Sequence, residues 1–100
     1  MTISSTWHPH EKHGKLNAAD HKDLPDSVFA FPHQRKEPLT DASHVRNAIA
    51  RFDQVKDVSD SDRDLAFANI KKACKHYDVE ITESSWRELG SKPHAKKAAH

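Results

Sequence analysis

The stretch Leu24–Phe52, LPDSVFAFPHQRKEPLTDASHVRNAIARF, decides how this 100-residue chain folds. It passes from an aromatic, β-favouring run through proline stops into an amphipathic helix. Val28, Phe29 and Phe31 suit a strand over Ser27–Phe31, and Pro32 ends it. Arg35–Leu39 is its natural antiparallel partner across His33-Gln34. Pro38 cannot donate to a ladder, which marks that partner as an edge strand. Phe29 and Phe31 alternate with Val28 and Ala30, so a true strand turns both phenyl rings to one side, where core packing is their expected use. Thr40 or Asp41 can then cap a helix running to about Gln54. Val45, Ala48, Ile49 and Phe52 fall at i, i+3, i+4 and i+7, the spacing of one buried face. His44, Arg46, Asn47 and Arg51 are left to the flanks and the exposed side.

The same logic extends in both directions. Downstream, Ser59 and Asp62 form a capping-box pair, and Asp60, Asp62 and Asp64 suit the positive end of a helix. That helix is predicted over 60–77, with Ala66, Ile70, Ala73, Cys74 and Tyr77 on one stripe. Val79–Ile81 reads as an extended connector. Thr82 is expected to cap a last helix, Glu83–Leu89, which Trp86 anchors and Gly90 stops. Upstream, Asn17 can cap a turn through Ala18–Lys22. The Leu24-Pro25 step closes it, because a residue before proline avoids the α region.

Apolar residues are unevenly supplied. Hydrophobic residues make up 35% of the chain and charged residues 31%. Nearly all the large apolar side chains lie between Leu24 and Leu89; residues 1–23 offer only Met1, Ile3, Trp7 and Leu16. A chain with so localised a supply orders only the part that can bury it. The expected organisation is a mostly disordered leader at 1–23 with one helical turn, a single small domain at 24–90, and a disordered basic tail at 91–100. The fold class is mainly α, with α+β left open by the ribbon. The two principal helices, 41–54 and 60–77, pair across the Val55–Val58 turn, and the ribbon and the Trp86 helix cover the open sides.

Charge and cysteine usage narrow the function classes. Sixteen basic and fifteen acidic residues give a net charge of +1. That balance denies the chain the strong positive field of a dedicated nucleic-acid binder. Cys74 has no second cysteine to pair with, so nothing demands an oxidising compartment. No stretch approaches the ~20 apolar residues needed to span a bilayer. A cytoplasmic setting is expected, without membrane contact.

No catalytic constellation emerges. Cys74 and His76 are two residues apart and point different ways on a helix, and Cys74 lies on the apolar stripe as a small core residue. Ser43 and His44 also diverge. Two glycines, Gly14 and Gly90, leave no phosphate-cradling loop. No enzyme activity and no cofactor are expected. Nine histidines are many for this length. His8, His10 and His13 form an H-x-H-x2-H cluster whose imidazoles could take Zn²⁺, Ni²⁺ or Cu²⁺, but no thiolate or folded frame accompanies them, and the preferred reading is a polar leader without a metal site. The remaining candidates are His44, Arg46, Asn47 and Arg51 on one helix, with Arg35 and Lys36 on the ribbon. They suit a protein partner, or, as the alternative, weak nucleic-acid binding helped by Lys92, Lys96 and Lys97. A solvated helix flank is the bland use of the same residues.

The block also resembles a family of small uncharacterised bacterial and phage-borne proteins. The residues that carry the resemblance are LPDSxFAFP at Leu24–Pro32, RKxPL at Arg35–Leu39 with Asp41 following, and HVRNAxARF at His44–Phe52. It extends more weakly through DLAFANIKKAC to SWRELG. The resemblance implies a shared core in a phage or genomic-island context, as found in appendages of phage structural and head-maturation proteins. It implies no activity. The expected function is a non-enzymatic interaction module.

Overall fold

Three capped helices and one ribbon build the computed structural model, which describes residues 4–12 and 14–89. The caps set the boundaries. Helix α1, Ala18–Asp23, starts where Asn17 accepts from the Asp20 N–H at 2.8 Å and the Asp20 carboxylate accepts from Asn17 N–H at 3.2 Å. It ends at Leu24, ahead of Pro25. Helix α2, Ala42–Arg51, is capped by Asp41. It tightens into a 3-10 turn over Phe52–Gln54 instead of continuing as α-helix to 54, as was expected. Helix α3, Asp60–Tyr77, carries the predicted box, with Asp62 N–H donating to Ser59 Oγ at 3.0 Å and Ser59 N–H to Asp62 at 3.1 Å. Asp78, at φ 58°, terminates it in the left-handed region.

The ribbon forms, but more narrowly than the composition suggests. Strand β1, Phe29–Phe31, pairs antiparallel with β2, Lys36–Pro38, placing Phe29 opposite Pro38 and Phe31 opposite Lys36. Asp26–Val28 is a 3-10 turn. Strand β1 packs on α3 and β2 packs on α2, so the ribbon lies across both principal helices. The phenyl rings do not serve one shared surface. Phe31 meets Phe52 at 5.4 Å between ring centroids in the main core, whereas Phe29 joins Leu24, Val28 and Leu16 in a smaller cluster. A strand this short, covered on both sides, buries Phe29, Ala30 and Phe31 together.

Two further expectations are corrected. The predicted Glu83–Leu89 helix is only a 3-10 turn, Trp86–Glu88, capped by Ser85 in place of Thr82. Ser84 and Ser85 both engage Glu88 locally, and such bonds compete with helical ones in a segment too short to offset helix nucleation. Trp86 is still the anchor, stacked on Phe52 at 6.2 Å, with its indole N–H donating to Asp64 at 2.7 Å. The second correction concerns the leader. Trp7 is 1% exposed and belongs to the main core. Buried Asn69 on α3 accepts from Thr6 N–H and Ser5 Oγ, both at 2.8 Å, and donates to the Ala30 carbonyl at 2.9 Å. His8 N–H reaches Ser27 O, and Lys12 N–H reaches Thr40 O. These bonds fasten residues 5–12 to the rest of the fold, and one indole supplies the burial its neighbours lack. Gly90 and the basic tail, with Lys92, Lys96 and Lys97, lie outside the described residues.

Candidate functional site: a basic groove between the ribbon and α2

Because β2 runs beside α2, their facing side chains bound an open groove of about 430 Å³. Arg35, Lys36, Glu37 and Pro38 come from the ribbon, His44, Asn47 and Arg51 from α2, and His21 from the end of α1. A smaller depression of about 250 Å³ shares Lys36, Glu37 and Arg51 and continues to Gln54 and Val55. The two make one trough across the end of the ribbon.

Five of the six contact candidates therefore converge: Arg35, Lys36, His44, Asn47 and Arg51. Arg46 is exposed and does not line the groove. The five are not equivalent. Arg35 Nη2 donates to the carbonyls of His21 at 2.9 Å and Leu24 at 3.0 Å, Nη1 pairs with Asp26, and the guanidinium lies 4.7 Å from the Phe29 ring centre. Its donors are largely spent holding the C-terminal end of α1 to the ribbon, where a cation is favoured. Lys36 and Arg51 are exposed, with no ion pair among the described residues. These are the groove's usable cations.

His44 is oriented by the cap of its own helix. Asp41 Oδ1 accepts from the His44 N–H at 2.8 Å and meets ring Nδ1 at 2.7 Å. The second carboxylate oxygen accepts from Gly14 N–H at 3.1 Å. Burial pushes the Asp41 carboxyl upward, but the bonds from His44 and Gly14 outweigh it and hold the group below its usual range. Against an ionised Asp41, Nδ1 carries the proton, which leaves Nε2 as the nitrogen free to meet a ligand.

Glu37 is the member that sequence reasoning missed. It sits in β2 with φ 59°, and Arg35 has φ 53°. Left-handed backbone costs a non-glycine residue roughly 1–2 kcal/mol, so the surrounding packing must enforce it. Burial raises the Glu37 carboxyl above its usual range, partly offset by the positive charge of Arg51, His44 and Lys36. Among the described residues, none of those cations comes within ion-pair distance and no donor reaches the carboxylate. The signal was a lone acid in the otherwise basic RKEP turn. His21, missed likewise, brings its ring to 5.1 Å from Phe29 and closes one end.

Among the described residues, the other candidate groups are not brought together. His8 and His10 are exposed, and His13 lies outside the described residues. No group of three or more His, Cys, Asp or Glu among the described residues could hold a metal ion. Cys74 is buried, and burial pushes its thiol up to about 11, which suits a core residue and not a nucleophile. A second recess, of about 370 Å³, surrounds Trp86. Its cations Arg63 and Arg87 already pair with Asp60 at 3.4 and 3.6 Å and lie against the indole, so they fasten the anchor. No helix of the described residues is long and apolar enough to cross a membrane.

Fold and groove together define a small, mainly helical domain that carries a two-stranded ribbon and an open, mostly basic groove. The chain belongs to DUF6582, a family of unknown function whose pattern spans residues 9–84. Comparison with curated proteins and with solved structures returned no match.

Proposed function

We propose that this protein is a non-enzymatic interaction module whose groove receives an acidic segment of a protein partner. The observation that carries the reading is the convergence of Lys36, Arg51, Asn47 and the free side of His44 around Glu37 in one trough. The cations there can meet carboxylates, and Asn47 can both donate and accept. Glu37 separates this reading from nucleic-acid binding. A nucleic-acid backbone would run its phosphates past a half-buried carboxylate, with a repulsive cost that only a base N–H could offset. A peptide brings carboxylates and neutral donors together. The resemblance at Leu24–Phe52 supports a phage- or genomic-island-derived assembly as the setting, in the cytoplasm.

A photo-crosslinking residue at Asn47 in native host cells tests the reading. Adducts that map to an acidic stretch of one protein, and that disappear in Arg51→Glu, are expected. Adducts with nucleic acid, or with acidic and basic surfaces alike, would refute it.

A further inference from the structure

Resting on that reading, we infer that Glu37 is the specificity-determining acceptor of the groove: it takes a main-chain N–H of the bound acidic segment and so selects a peptide over a bare polyanion. Three observations carry this. The carboxylate is half-buried, yet it accepts no hydrogen bond and forms no ion pair among the described residues, although a half-buried charge is costly to leave without partners. Its backbone is held at φ 59°, where an L-residue stays only if the surroundings impose it. It also occupies the overlap of the two depressions, together with Lys36 and Arg51.

That position selects the ligand class. Any occupant of the trough passes Glu37 on its way from His21 towards Val55. A cationic donor would face Lys36 and Arg51, which repel it. A polyphosphate brings acceptors only. An acidic peptide meets every requirement: its side-chain carboxylates reach Lys36 and Arg51, and its amides supply neutral donors at regular spacing. The trough is also open at its surface, which fits an extended chain better than an enclosed small molecule.

The test compares two probes of matched charge at low salt, acetyl-hexaglutamate amide and an abasic heptanucleotide with capped ends and no terminal phosphate, against wild type, Glu37→Ala and Glu37→Gln. Glutamine keeps an acceptor oxygen without the charge. Removing only a repulsive charge tightens both probes in both variants. Removing an acceptor has the opposite effect on the peptide. We expect Glu37→Ala to weaken hexaglutamate about tenfold, the scale of one lost charge-assisted hydrogen bond. The same variant should tighten the nucleotide, and Glu37→Gln should restore most of the peptide affinity. A dispersed amide spectrum confirms that each variant is folded. If Glu37→Ala tightens both probes alike, the inference fails while the interaction-module reading stands. If folded wild type binds neither probe, both fall.

Discussion

Replacing Trp7 by alanine asks whether the segment 4–12 belongs to the fold. The side chain is 1% exposed, and its ring meets those of His76 and Tyr77 edge-on at 5.6 and 5.9 Å. A tryptophan buries some 150–250 Å², worth about 4–6 kcal/mol at ~25 cal/mol/Å². Two terms reduce this. Alanine keeps a small share of the burial, and the indole N–H has no acceptor among the described residues, so its removal returns about 1–3 kcal/mol. The expected net loss is about 2–4 kcal/mol, or roughly 10–30 °C in Tm for a domain of this size. Urea unfolding followed by far-UV circular dichroism measures it. Trp7→Phe, which keeps most of the ring surface and deletes the orphan donor, should stay within about 1 kcal/mol of wild type. A Trp7→Ala midpoint within ~0.5 kcal/mol of wild type would show that the segment lies outside the cooperative unit, as its polar composition implies.

Asp41→Ala should cost about 2 kcal/mol at neutral pH, the upper end for an N-cap, because the carboxylate also holds the His44 ring and Gly14. Since folding lowers the Asp41 pKa, its contribution is fully present above the unfolded carboxylate range and is lost as pH falls through the folded value. The gap between wild type and variant in urea midpoints should therefore hold from pH 7 to 5 and shrink below about pH 4. Cys74, with its thiol pushed up to about 11, should resist iodoacetamide at pH 8 in the native protein and react in urea; native labelling at the unfolded rate would contradict its burial.

The helices were legible because their ends are written locally. Asn17 with Asp20, Asp41 with its following stripe, and Ser59 with Asp62 each commit the backbone within four residues. The long-range partners were not legible. Asn69 stands beside Ile70 on the buried face of α3, and its polarity there was the sign of an arm to be held, but the arm lies more than sixty residues away. Trp7 stands among polar neighbours, so regional composition assigns it to the leader, and a single indole can override composition. The same limit governed the groove. Charge and position on α2 or the ribbon point to six residues, whereas Glu37 enters through a left-handed backbone that no residue type announces. Arg46 failed to join because its place on α2 turns it away from the ribbon.

The chain has two tryptophans, and neither falls within the 9–84 stretch that identifies the family. One precedes it and one follows it, and both rest on the same core. Indole fluorescence in this protein is thus a readout of its two ends. Selective quenching of one emitter would report a terminus lifting away while the helices between remain intact. A version trimmed to the family limits would lose both signals along with the two seals that produce them.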